Sequence, residues 1–565
     1  MRSTQQPLQR LAASLAALAA FAIAPQARAA DPAVVVKTAQ GPVQATVRGD
    51  MRTFFAIPFA APPVGDLRWK PPQPAAKWTA TLARTKTGAA CLQTGPDSPF
   101  RTRGDSEDCL YLDVHAPAGK GPFPVMVWIH GGAFTTGDAS TYADPSLMVS
   151  KGVIVVAIHY RLGAMGFLAH PALRDANGSA GNYGMMDQQA ALRWVKTNIG
   201  AFGGDPGNVT IFGESAGGFS VLSHLASPPS KGLFHKAIIQ SGAYGVENQL
   251  TQAQLEANST TALEKAMAGQ DLAPTCAAGV TAACLRDLPD AVVRGKLMTA
   301  FGQAVPSVIP SVDGKVMPRT IRAAFAAGAN NKVPVINGSN EDENRMFVAI
   351  GEFGARFQAK PPNFDPANRS FLMTPQAYLD GAKVASTQSG LSVSDLTEKY
   401  YPLSRFGDDL ALQPSLATAA AGTDSTFSCH GVNVSARIAA QGSPVWMYEF
   451  RDQTAIPLIG MIGGRYVLSL PQGAAHAAEL PYLFSMAGAR HSDEQQALRE
   501  TMSSYWTNFA KTGDPNGSGA PAWTGFKTGA IQALDVASGG GVTAMTADAF
   551  RDQHLCKTAW SKQTF

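Results

Sequence analysis

Val209-Thr210-Ile211-Phe212-Gly213-Glu214-Ser215-Ala216-Gly217-Gly218-Phe219-Ser220-Val221-Leu222 joins an apolar β run to a helical run through a turn of small residues with a serine at its centre. Gly213 to Gly217 matches G-x-S-x-G, and the strand before it and the helix after it are the context that pattern requires. The physical reason is a sharp strand-to-helix turn that holds the serine in a strained backbone conformation. Small residues on either side keep the flanking chain from colliding there. Such a turn exposes the hydroxyl and sets it at a helix N-terminus, where backbone N–H groups favour developing negative charge. Ser215 is therefore the candidate nucleophile.

The pattern repeats outward in both directions. Upstream, Val125 to Ile129 and Val153 to Ile158 are continuous apolar runs, as expected of parallel strands buried on both faces. The stretch from Asp187 to Thr197 carries helical spacing at Ala190, Leu192, Trp194 and Val195 and leads through Gly203-Gly204-Asp205-Pro206 into the Val209 strand. Strand, helix and strand in that order make a parallel crossover unit. Downstream, Val333 to Gly338 and Val445 to Phe450 read as later strands of the same sheet. Residues 245–335 and 350–440 read as mainly helical insertions that cap it, and Asp31 to Lys120 as short β runs between Pro-rich turns. The expectation is an α/β architecture with a mostly parallel sheet built from both halves of the chain, as one domain over residues 30–565.

Residues 1–29 stand apart. Arg2 and Arg10 form a basic start, Leu11 to Ala24 an apolar run, and Ala27-Arg28-Ala29 a small-x-small cleavage site, the order of a secretory signal peptide. Its removal takes away three arginines and no acids, lowering the formal charge from +4 to +1. A nearly neutral surface offers no electrostatic case for nucleic acid. No later segment reads as a transmembrane helix, so stable membrane insertion is not expected. The even cysteine count (Cys91, Cys109, Cys276, Cys284, Cys429 and Cys556) favours disulfides in an exported chain, with fifteen pairings open. No P-loop, dinucleotide fingerprint, HExxH or metal-spaced Cys/His set is present, so neither metal nor organic cofactor is expected.

A serine hydroxyl needs a base to take its proton, and that base is ordinarily a histidine oriented by a carboxylate. His224 and His235 lie in and just beyond the helix after Ser215 and read as structural. His476 is the informative one. It sits in Gly473-Ala474-Ala475-His476-Ala477-Ala478-Glu479, where small neighbours leave room for the ring to reach into a cleft.

Taken together with Glu107-Asp108-Cys109-Leu110-Tyr111-Leu112-Asp113-Val114 and the run from Phe202-Gly203-Gly204-Asp205-Pro206 through Gly218, the chain resembles the type-B carboxylesterases, the family of the cholinesterases and para-nitrobenzyl esterases. The resemblance covers nearly the whole chain after residue 29. It implies an α/β-hydrolase fold with large helical insertions, and a small-molecule ester as substrate. It also implies the acid: the family's Asn-x-Asp-Glu-Gly stretch is similar to Asn340-Glu341-Asp342-Glu343-Asn344, which makes Glu343 the candidate. Asn344 stands where glycine is usual, leaving Glu341 and Asp342 open as alternatives; asparagine tolerates a positive φ better than most residues. His476 occupies the position similar to the family's histidine, with Ala477 where glycine is common. Gly131-Gly132-Ala133 resembles the oxyanion loop, so the N–H groups of Gly132, Ala133 and Ala216 are implied as oxyanion donors. The resemblance further implies the pairs Cys91–Cys109, Cys276–Cys284 and Cys429–Cys556.

The chemistry implied is a two-step acyl transfer through Ser215, His476 and Glu343. The same machinery serves amides, thioesters and polyesters such as polyurethanes, and fold does not choose between them. A non-catalytic binding protein is the rival class, opposed by the presence of a candidate for every role. Phe134 and the Met461 to Leu470 segment are read either as gorge lining or as core. Periplasmic or extracellular destination, and the assembly state, stay open.

Overall fold

The computed structural model describes residues 34–565 apart from 94–103, 271–275, 277–278, 360–363, 463–464, 487 and 564. The signal-peptide segment lies outside the described residues. An 11-stranded sheet runs through the molecule. Its strands in chain order are β1 (Thr46–Arg48), β2 (Met51–Pro58), β3 (Tyr111–Pro117), β4 (Phe123–Ile129), β5 (Ile154–Ile158), β6 (Gly204–Glu214), β7 (Lys236–Gln240), β8 (Val335–Asn340), β9 (Val445–Phe450), β10 (Ala530–Leu534) and β11 (Thr543–Thr546). In space they lie β11-β10-β9-β8-β7-β6-β4-β5-β3-β2-β1. From β5 through β4 and on to β10 every neighbouring pair is parallel; the pairs at both outer ends are antiparallel.

The apolar runs become strands because both faces are covered. In β4, Val125, Val127 and Ile129 join one hydrophobic cluster while Met126 and Trp128 join another on the opposite face, and β5 divides its residues the same way. The first face is covered by α1 (Tyr183–Asn198) and α2 (Ala216–Ala226), through residues such as Leu192, Val195, Phe219 and Leu222. A long helix near the C-terminus (Asp493–Thr512) covers the second, through Met502, Tyr505, Trp506 and Phe509. Each such fully buried side chain contributes about 1.5–3 kcal/mol against exposure. The crossover unit expected from β5 through α1 to β6 is present, with β4 lying between the two strands.

Between β7 and β9 come the helical insertions, including α3 (Gln252–Met267), α4 (Asn344–Ala359), α5 (Pro375–Ser389), α6 (Gln413–Thr423) and α7 (Cys429–Ala440). Among the described residues no helix is long and apolar enough to cross a membrane. Three disulfides form: Cys91–Cys109, Cys276–Cys284 and Cys429–Cys556. The last spans 127 residues and ties the start of α7 to the C-terminal segment.

Candidate active site

Ser215 follows directly on β6 with φ 57° and ψ −123°, and α2 begins at the next residue. The tightness of the turn explains its glycines. A Cβ on Gly213 would come 2.6 Å from the carbonyl carbon of Gly217, and a Cβ on Gly217 would come 1.9 Å from the Ile129 carbonyl oxygen. Two backbone bonds hold the strained serine, from its N–H to Gln240 O (2.9 Å) and from Phe219 N–H to its own carbonyl (2.8 Å).

The loop after β4 lies against this turn, since a Cβ on Gly131 would stand 3.1 Å from Ser215 Cβ. Gly132, Ala133 and Phe134 all have positive φ, at 104°, 53° and 58°. This curl turns the Gly132 carbonyl away to accept from Thr135 and Thr136 N–H, both at 2.9 Å. The N–H of Ala216 opens a helix and has no partner within it. His130 braces the loop from behind: its ring stacks on Tyr160 at 4.5 Å, and the Tyr160 hydroxyl donates to the His130 carbonyl at 2.8 Å.

His476 and Glu343 are brought together from segments 133 residues apart, with Nδ1 2.5 Å from Oε2. The other Glu343 oxygen accepts from Ser241 Oγ (2.5 Å) and Asn340 N–H (2.8 Å), so the carboxylate is fixed in orientation. Of the three acids in this turn only Glu343 touches the imidazole. Glu341 pairs with Arg451 (2.6 Å) and Asp342 with Arg345 (2.8 Å). Asn344 needs no left-handed conformation: it opens α4 and donates its N–H to Thr423 Oγ1 at 2.9 Å. The strained position lies instead beside the histidine, where Ala477 has φ 66°.

The Nε2 face of His476 is turned to Glu214, the residue before Ser215, whose Oε1 is 3.0 Å away. That contact lacks hydrogen-bond alignment, and Nε2 is buried without a partner. Ser215 Oγ is accordingly not bonded to His476 here. Burial pulls the His476 pKa down, but Glu214 and Glu343 outweigh it and push it up to about 9. Burial also raises Glu214, to about 8, against the opposing pull of His476. A further buried carboxylate, Glu479, accepts from Asn340 Nδ2 (2.8 Å) and Gln240 Nε2 (2.9 Å), and burial raises its pKa.

Sequence reasoning had not singled out Glu214, Glu479, Ser241 or Asn340 as partners of the histidine. Glu214 occupies a variable position of G-x-S-x-G, and Glu479 follows His476 by three residues; neither spacing announces a contact. His224 is structural, bonded to Ser230 Oγ (2.8 Å) and Gln188 Oε1 (3.0 Å), as is His235, whose Nδ1 accepts from Val209 N–H (3.1 Å).

The site is walled by aromatic rings. His476 packs against Phe347 at 4.9 Å and Phe427 at 5.0 Å, and Phe427 meets Tyr244 at 5.5 Å. Tyr244 leans on Phe219 at 5.4 Å, which in turn meets Phe134 at 6.0 Å. Phe347 is 40% exposed and Phe427 only 4%, so this wall runs from solvent inward. Phe134 is wholly buried, and Val467, Leu468 and Leu470 pack on Ala349 and Phe353 of α4 in a small core of their own. Among the described residues no group of three or more His, Cys, Asp or Glu is arranged to hold a metal ion.

A serine at a strained elbow, a buried histidine–glutamate pair and a curled loop after β4 thus come together in one place. Comparison with known proteins identifies the family. The model of the carboxylesterase family matches residues 32–550. The fumonisin B1 esterase of Sphingopyxis macrogoltabida is 36% identical over 537 residues, covering 90% of this chain and 88% of its own. The para-nitrobenzyl esterase of Bacillus subtilis (strain 168) is 34% identical, covering 85% and 90%. A solved PNB esterase structure superposes with a TM-score of 0.69 at 30% identity, covering 92% of this chain and 99% of that one. The chain thus belongs to the carboxylesterase family, with the α/β-hydrolase fold, and is a carboxylic ester hydrolase.

Proposed function

We propose that the protein is a secreted serine esterase that works through an acyl-enzyme on Ser215, with His476 as base and Glu343 as the acid that orients it. The observation that carries this reading is the His476–Glu343 pair: Nδ1 is spent on the carboxylate while Nε2 stays unbonded against Glu214, the residue before Ser215. In the first step His476 Nε2 takes the Ser215 proton and Oγ bonds to the ester carbonyl carbon. The N–H groups of Gly132, Ala133 and Ala216 receive the oxyanion, each such donor being worth about 10²–10³-fold in rate. His476 then gives its proton to the leaving alcohol as the C–O bond breaks. Water, deprotonated by the same nitrogen, attacks the acyl carbon and releases the acid and Ser215.

A neutral His476 is required at the start, so the carboxylates that raise its pKa also place the active form toward alkaline pH. The aromatic wall favours uncharged substrates with apolar bulk. The three disulfides and the leader-like residues 1–29 both fit passage into an oxidising compartment.

Hydrolysis of p-nitrophenyl esters of increasing acyl length, with Ser215→Ala beside the wild type, tests the reading. The expected result is turnover that falls by about 10⁴-fold or more in the variant, with fluorophosphonate labelling lost in parallel. Turnover retained by Ser215→Ala would assign the nucleophile elsewhere.

A further inference from the structure

The parallel strands β4 to β10 all start at one end of the sheet, and the stretches that lead into them share a feature. Lys120, Lys151, Lys332 and Lys527 each stand three residues ahead of the first residue of β4, β5, β8 and β10. Lys231 lies in the turn before β7, and Lys196 Nζ donates to the Gly232 carbonyl of that turn at 3.1 Å. Lys511, in the last turn of the long C-terminal helix, joins the same end: its carbonyl accepts from Asn208 Nδ2, near the start of β6, at 3.2 Å. Neighbouring strands lie about 4.8 Å apart, so the row crosses about 30 Å of the molecule. Past the other ends of these strands the sign reverses. Within two residues come Glu341, Asp342, Asp452 and Asp535, against Arg451.

The small formal charge hides this segregation. Of the carboxylates flanking the strand starts, Glu500 is taken by Lys151 (2.9 Å) and Asp548 by Lys557 (2.9 Å), leaving Asp50, Asp205 and Asp514. Lys196 and Lys511 complement the C-terminal ends of their helices. Lys120, Lys231, Lys332 and Lys527 stand outside the α-helices, are exposed, and join no ion pair among the described residues. Unpaired cations spread over a broad end fit a flat anionic surface. Single-stranded nucleic acid would want aromatic rings for its bases to stack on. The exposed aromatic side chains among the described residues, Phe347 and Phe357, both lie on α4, which begins at the opposite end.

We propose that the basic end of the sheet adsorbs to anionic lipid bilayers, meeting their phosphate headgroups through Lys120, Lys231, Lys332 and Lys527. The contact is independent of the reaction assigned to Ser215, but it orients it. Ser215 follows the far end of β6, whose 11 residues span about 33 Å. The adsorbed protein therefore holds its serine elbow toward water and takes dissolved esters rather than those of the lipid beneath.

The test sediments the protein with sucrose-loaded vesicles of phosphatidylcholine, with and without about one-third phosphatidylglycerol, at rising salt. Wild type is expected to follow the anionic vesicles alone and to be released as the Debye length shrinks below about 5 Å. Reversing the four strand-start lysines (Lys120→Glu, Lys231→Glu, Lys332→Glu and Lys527→Glu together) is expected to lower the partition coefficient at least about tenfold. The control reverses four exposed lysines of the helical insertions, Lys265→Glu, Lys296→Glu, Lys383→Glu and Lys399→Glu, for the same change in net charge. It is expected to stay within about twofold of wild type. Any contribution from residues 1–29 is common to all three proteins and cancels. Should the first variant fail to fold, the same four lysines changed to Gln repeat the comparison. Wild type that ignores anionic vesicles, or equal losses in both variants, overturns the proposal. Retention on dextran sulfate without sedimentation overturns it in favour of a polysaccharide. Turnover of p-nitrophenyl butyrate should be the same bound and free; a fall in step with the bound fraction would mean that the catalytic end is the one that docks.

Discussion

His476 and His554 are both buried, and each stands between two carboxylates. His554 Nδ1 is 2.6 Å from Asp424 Oδ1 and its Nε2 2.6 Å from Glu449 Oε1, both with hydrogen-bond alignment. His476 has the same alignment on Nδ1 alone; its Nε2, 3.0 Å from Glu214, is left without a bond. Burial pulls down both pKa values, and in both cases the paired carboxylates outweigh it, lifting His554 to about 10 and His476 to about 9. Similar residues under similar electrostatics therefore end in different roles. His554 has no lone pair to offer and serves as a strut between α6, β9 and the C-terminal segment. His476 keeps one nitrogen uncommitted, against the residue that precedes the strained serine, and that incompleteness is what suits it to the role of base proposed above.

The comparison breaks if the two sites respond alike to mutation. His476→Ala is expected to lower kcat/KM by about 10⁴–10⁶-fold, read on a p-nitrophenyl ester with the enzyme counted by folded mass. Truncating the strut acts on stability: His554→Ala removes the cation between two buried carboxylates, leaving Asp424 only the Tyr401 hydroxyl and Glu449 only Arg451 at 3.6 Å, at a cost of about 3–5 kcal/mol, visible in urea unfolding. Turnover per fluorophosphonate-titrated site should stay near wild type in that variant, and a collapse comparable to that of His476→Ala would erase the distinction. The sign of the pH dependence follows from the raised folded pKa. The stability that His554 contributes is full below its ordinary 6.5 and is lost as pH rises toward and through about 10. Wild type should therefore lose stability more steeply than His554→Gln across that window.

A smaller effect sharpens the contrast at His476 itself. Glu214 is the largest of the influences raising the pKa of that imidazole. In Glu214→Gln the acid limb of the kcat/KM profile should move to lower pH by about 1 unit or more. A limb that does not move would mean Glu214 is already protonated in the working enzyme.

What could be read from the sequence was what is local. Gly213 to Gly217 announces its elbow because strand, turn and helix are contiguous, and the glycines are demanded by contacts within a few residues or with the adjacent strand. The parallel strands were legible from their double-sided apolarity, but their spatial order was not. Nothing in the composition of β4 tells that it lies between β5 and β6. Glu343 and His476 came from family resemblance more than from their own surroundings, because the contact that defines them joins distant segments. The disulfide pairs came the same way, and all three form. The second carboxylate at His476 and the Phe427 ring had no signal at all. Each acquires its meaning only from what the tertiary fold sets beside it.

Ser215 follows β6 in the first half of the chain, and the partners proposed for it arrive from much further along, Glu343 after β8 and His476 after β9. A ribosome therefore finishes Ser215, its elbow and the loop after β4 long before it supplies His476. With the roles proposed above, no base is in place until β8 has docked on β7 and β9 on β8. An esterase arranged in this order would be silent throughout its own synthesis, with activity a late event of folding.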